Sequence, residues 1–106
     1  MNILFVCSRN KWRSRTAETI FKNSQDHIVK SAGTEKEARI KVTEKLVNWA
    51  DLIFVMEKKH KIRLMDRFGS LLDSKEIITL DIRDDYEYMD PTLVEILKTS
   101  VSPYLD

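Results

Sequence analysis

The residues best equipped for chemistry lie together near the start of the chain, in the run C-S-R-N-K-W-R-S-R from Cys7 to Arg15. Cysteine sulfur is a nucleophile as the thiolate, and neighbouring cations or a helix N-terminus favour that form. Arg9, Lys11, Arg13 and Arg15 supply the cations. Arg13 carries a planar fork that grips two oxygens of a phosphate-like anion, which a lysine cannot do. Ser14 has the right chemistry to cap a helix and to hydrogen-bond the sulfur. Asn10 tolerates left-handed backbone better than most residues, which suits the middle of a tight loop. Together these residues describe an activated sulfur beneath an oxyanion cradle. A cysteine that ends a strand is more often a small core residue, so the flanking elements decide the reading.

Those elements are a strand and a helix. Ile3 to Val6 is an apolar run that ends at Cys7, and Ala17, Ile20 and Phe21 then recur at the spacing of one helical face. The pattern predicts a helix from Ser14 to about Asn23. Its N-terminus offers unpaired N–H donors and a partial positive charge, a natural seat for an anion.

The rest of the chain alternates in the same way. His27 to Ala32 predicts an edge strand interrupted by Lys30, and Thr34 to Lys41 a loop. Val42 to Trp49 predicts a helix, and Leu52 to Met56 a strand covered on both faces. Glu57 to Phe68 predicts a basic helix with Ile62, Leu64, Met65 and Phe68 as core contacts and Gly69 as its stop. Glu76 to Leu80 predicts a fourth strand. Asp81 to Met89 is an acidic loop, and Asp90-Pro91 opens a last helix whose apolar face is Leu93, Val94, Ile96, Leu97 and Val101. Such alternation implies a parallel sheet with right-handed crossovers and helices on both faces.

The motif Cys7-Ser8-Arg9-Asn10-Lys11-Trp12-Arg13-Ser14 resembles the C-x-x-x-x-x-R-S phosphate loop of the low-molecular-weight protein tyrosine phosphatases. Three later stretches resemble the same family in order: Ser31 to Thr34, Ala50 to Met56, and Asp84-Asp85-Tyr86 before the last helix. The resemblance implies an α/β three-layer sandwich whose four parallel strands run in the order 2-1-3-4, spanning residues 1–106 as one domain. It implies Cys7 as nucleophile, Arg13 as phosphate ligand and Asp84 as general acid, with Asp85 as the alternative acid. Tyr86 and Trp12 are expected on the pocket rim. The implied substrate is a phosphotyrosine protein or a small aryl phosphate, with inorganic phosphate or another oxyanion able to occupy the loop. Neither metal nor cofactor is expected. Three features depart from the family: Trp12 replaces a common second cysteine, the stretch between Gly33 and Ala50 is short, and the acid loop has Asp85 where a proline is usual.

Composition narrows the classes. The 106 residues are 42% apolar and 33% charged, which suits one globular domain with one core. The formal net charge of +1 gives no global field for nucleic acid or membrane, so neither is an expected partner. Cys7 is the sole cysteine, which excludes a disulfide framework or a clustered-cysteine zinc site. A lone thiol fits a reducing, cytoplasmic setting, with the protein mature from Met1. Other readings are a phosphate- or phosphopeptide-binding module without turnover, an arsenate reductase, or a phosphoryl carrier on the same fold. The arsenate reductase would need relay cysteines, and Arg13-Ser14 favours hydrolysis over carriage.

Overall fold

The computed structural model describes residues 1–105. Four strands, β1 (Asn2–Cys7), β2 (Ile28–Gly33), β3 (Leu52–Val55) and β4 (Glu76–Thr79), pair in parallel in the order β2-β1-β3-β4. The helices are α1 (Arg13–Phe21), α2 (Glu44–Trp49), α3 (Lys58–Phe68) and α4 (Pro91–Leu105), with a short 3-10 turn at Gly69–Leu72. The expected architecture and strand order are those observed. Element ends differ by one to two residues, as boundaries read from sequence do.

Side-chain alternation along β1 builds two cores. Ile3, Phe5 and Cys7 face one way and join Ala17 of α1 with Leu93, Leu97 and Val101 of α4. Leu4 and Val6 face the other way and join Val47 of α2 and Leu64 of α3. Phe5 stacks on Phe54 at 5.2 Å and on Phe21 at 5.8 Å. The same alternation puts Cys7 on the α1 side of the sheet, where the loop must turn to begin that helix. β1 and β3 reverse the direction of strand order at this point, and open α/β sheets bind ligands at such switch points.

Helix α3 departs from expectation. Ile62 and Met65 are 49% and 53% exposed, whereas His60 and Leu64 are fully buried. His60, Leu64 and Phe68 follow the i, i+4, i+8 stripe, so the buried face begins with a histidine. The ring closes the first turn of the helix: Nδ1 accepts from the Glu57 N–H at 3.0 Å. Asp90 caps α4 as expected, its Oδ1 accepting from the Thr92 and Leu93 N–H groups at 2.8 and 3.4 Å.

Gly33 is needed for close approach. It lies opposite Cys7 in the β1–β2 register, and a Cβ there would stand 2.5 Å from the Ser8 carbonyl oxygen and 2.9 Å from the Arg9 carbonyl carbon. Gly33→Ala therefore pushes the Cys7–Ser14 loop out of place. Turnover of an aryl phosphate should fall at least about tenfold, because a displacement near 1 Å can cost more than that. Unchanged turnover would show that the loop does not depend on this contact.

The buried His60 also makes stability depend on pH. Burial, and the nearby charge of Arg13 with smaller contributions from Lys59 and Arg63, outweigh Glu57 and push its pKa down from 6.5 to about 4. Between those values the unfolded chain binds a proton that the folded chain refuses, so stability falls as pH falls from 6.5 to about 4. The loss should reach roughly 3 kcal/mol. Urea midpoints measured across this range should show the slope, and His60→Gln should flatten it.

Candidate active site

The loop between β1 and α1 is held from outside. The Thr34 and Glu35 N–H groups donate to the Cys7 and Ser8 carbonyls at 2.9 Å each, and the Arg39 N–H donates to the Arg9 carbonyl at 2.9 Å. Arg39 Nε donates to the Asn10 carbonyl at 3.1 Å. With successive carbonyls tied to the 34–39 segment, the N–H side of the loop is free to face a ligand. Among the described residues none accepts from the N–H groups of Ser8, Arg9, Lys11 or Trp12. Asn10 has the left-handed backbone expected of it, with φ 58°.

The sulfur sits within this loop. Cys7 Sγ lies 2.9 Å from Ser14 Oγ and 3.2 Å from the Asn10 N–H, which donates to it. Asn10 Nδ2 donates to Ser14 Oγ at 2.7 Å, so the hydroxyl proton of Ser14 is available to the sulfur, with the Ala32 carbonyl as a longer alternative acceptor at 3.4 Å. Ser14 does not cap α1 as expected. It is the second residue of the helix, Trp12 holds the N-cap position, and no side chain caps the turn. The first N–H groups of α1 thus remain available to an anion.

Arg13 is 2% exposed and spans three segments. Nη1 pairs with Glu57 at the start of α3 and donates to the Ile82 carbonyl at 2.8 Å. Nε lies 3.6 Å from Asp84 Oδ1. Burial raises the Glu57 pKa, but the hydrogen bond and charge of Arg13 prevail and hold it below the usual carboxylate value. A cavity of about 300 Å³ opens over these groups, lined by Cys7, Ser8, Arg9, Lys11, Trp12, Arg13, Glu35, Lys59 and Asp84.

Asp84 and Asp85 part company here. Asp84 lines the cavity beside Arg13, while Asp85 pairs with Arg83 at 3.4 Å outside it. The acid loop, without a proline, is fastened to α1 instead. Arg13 grips its Ile82 carbonyl, the Met89 N–H donates to Thr16 Oγ1 at 2.9 Å, and the Tyr88 hydroxyl meets Thr19 at 2.8 Å. Asp81 and Met89, at its two ends, take positive φ of 57° and 62°. Trp12 is on the cavity wall and 42% exposed. Tyr86 is half-buried and packs against the core that holds Ala17 and Leu93, and it is not among the residues that line the cavity.

Sequence reasoning missed Glu57, His60 and Glu35 as parts of the site. His60 was legible as the first member of the α3 core stripe, but its partner Ser8 is 52 residues away in the chain. No local pattern announces that pairing. Among the described residues no cluster of histidine, cysteine and carboxylate side chains suits a metal ion, and no helix is long and apolar enough to cross a membrane.

Residues 2–46 match the family model of the low molecular weight phosphotyrosine protein phosphatases. No curated protein sequence is similar enough to match. Among solved structures, Wzb of Vibrio vulnificus bound to benzylphosphonate superposes with TM-score 0.79 and 21% identity, covering 97% of this chain and 95% of that one. The YwlE arginine phosphatase of Geobacillus stearothermophilus gives 0.78 and 23%, over 97% of this chain and 89% of its own. The SP-PTP low molecular weight protein tyrosine phosphatase of Streptococcus pyogenes gives 0.76 and 19%, over 98% and 90%. The structural likenesses establish the fold, and the family match covers the strand, loop and helix that carry Cys7 and Arg13. The chain is thus similar to the low molecular weight phosphotyrosine protein phosphatases over residues 2–46 and shares the fold of these solved structures along its whole length.

Proposed function

We propose that this chain hydrolyses phosphotyrosine on protein through a cysteinyl-phosphate intermediate. The observation that carries the reading is Cys7 Sγ at the floor of an oxyanion cavity, hydrogen-bonded by Ser14 and the Asn10 N–H and flanked by a buried Arg13. Cys7 sulfur attacks phosphorus as the bond to the aryl oxygen breaks. Arg13 and the loop N–H groups hold the equatorial oxygens, where charge spreads in the transition state. Asp84, protonated, gives its proton to the leaving phenolate. Asp84 as carboxylate then takes a proton from the water that attacks phosphorus, and the sulfur leaves as thiolate, received by Ser14 and Asn10. Trp12 at the mouth offers a flat apolar wall to an aryl group. Glu35 on the cavity wall is already paired with Arg9, which suits an aryl ester better than a guanidinium.

Cys7→Ser should abolish turnover of an aryl phosphate in a steady-state assay while retaining vanadate or tungstate binding; retained turnover would end the proposal. Arg13→Lys should also fail, because a point charge does not replace the fork.

Asp84→Asn should slow phosphotyrosine hydrolysis by about 10²–10⁴-fold. The loss should shrink for a substrate whose leaving group needs no proton. If Asp85→Asn alone shows that dependence on leaving group, Asp85 is the acid.

A further inference from the structure

Ser8 and His60 form a part-buried pair to which the reaction above gives no part. His60 is fully buried, and its Nε2 lies 2.9 Å from Ser8 Oγ. The other ring nitrogen, Nδ1, faces the backbone N–H of Glu57 at 3.0 Å. A backbone N–H only donates, so Nδ1 must present its lone pair. The neutral ring then carries its proton on Nε2 and donates it to Ser8 Oγ. Ser8 is an acceptor in that bond, and its own hydroxyl proton is left over. Among the described residues no other side chain bonds Ser8 Oγ, and Ser8 lines the cavity next to Cys7.

From this chain of donors we propose that the Ser8 hydroxyl is a further catalytic residue, donating to a phosphoryl oxygen of the bound substrate, and that His60 is the positioning residue that aims it. The assignment rests on the phosphatase reading of the cavity. The chain runs from the Glu57 peptide N–H, at the N-cap of α3, through a fixed imidazole to a hydroxyl rotor, so the hydroxyl proton is turned away from His60. A serine hydroxyl otherwise divides its time between donating and accepting. Here the acceptor role is filled from below, which preorganises the donor for charge that grows on the phosphoryl oxygens. The depressed pKa of His60 keeps the ring neutral through the working pH range, with Arg13, Lys59 and Arg63 opposing its protonation and Glu57 favouring it.

The test is a double-mutant cycle on the full chain with an aryl phosphate, each protein first checked for folding by urea unfolding. Ser8→Ala should lower kcat by about tenfold to a hundredfold, the scale of losing one oxyanion donor, and should weaken vanadate binding. His60→Leu should lower kcat by a similar factor when Ser8 is present and should add little in the Ser8→Ala background. His60→Gln, whose amide can still donate, should restore most of the loss. Unchanged kcat and vanadate affinity in Ser8→Ala would overturn the proposal. Equal losses from His60→Leu in both backgrounds would overturn the positioning role and leave His60 a packing residue. Should His60→Leu fail to fold, Ser8→Ala and His60→Gln decide alone. If the parent chain does not hydrolyse aryl phosphates, the phosphatase reading fails. Vanadate affinity, compared between parent and Ser8→Ala, then still judges the Ser8 donor.

Discussion

A guanidinium almost wholly removed from water governs this structure. Burying a charge costs several kcal/mol unless partners surround it, and Arg13 is 2% exposed. Its partners come from segments far apart in sequence: Glu57 before α3 and the Ile82 carbonyl and Asp84 of the acid loop. Each partner is held where the arginine needs it. The result is that α3, the acid loop and the Cys7–Ser14 loop share one point of reference. An anion entering the cavity meets a fork whose position three elements have already fixed, so little reorganisation accompanies binding.

The sheet supplies the second constraint. Two-residue alternation along β1 puts Cys7 on the α1 face and turns the chain back into the helix N-terminus. The 34–39 segment then draws the loop carbonyls outward and leaves the N–H groups toward the cavity. Gly33 makes this possible, because a side chain there would collide with the Ser8 and Arg9 backbone. The nucleophile, the donors and the fork are thus placed by strand pairing and by tertiary hydrogen bonds. Between Cys7 and Ser14 the positive φ falls on Asn10, which bears left-handed geometry more easily than most residues.

What the sequence discloses follows the range of the interactions. The Cys7-to-Arg13 spacing, the strand before it and the helix after it are local, and a period-based reading finds them. The alternation of strands and helices implies a parallel sheet, whereas its strand order is legible only through the family resemblance of the motifs. Ile62 and Met65 mislead because they are apolar yet fall off the His60–Leu64–Phe68 stripe. Tyr86 misleads because anchoring of its loop to Arg13, Thr16 and Thr19 decides where it points, and no local pattern encodes those contacts. Ser14 caps nothing, since its hydroxyl is engaged with the sulfur, Asn10 and the Ala32 carbonyl. The roles of Glu57 and His60 are set by partners 44 and 52 residues away, beyond any motif.

The central claim is that Cys7 becomes covalently phosphorylated during turnover. The most direct measurement is rapid acid quenching of the parent protein with excess aryl phosphate, followed by peptide mass spectrometry. A single phosphoryl group on the peptide that contains Cys7, appearing within the first turnover and decaying once substrate is spent, is the predicted result. Steady release of phosphate with Cys7 unmodified at every quench time, or with the phosphoryl group on another residue, would contradict it.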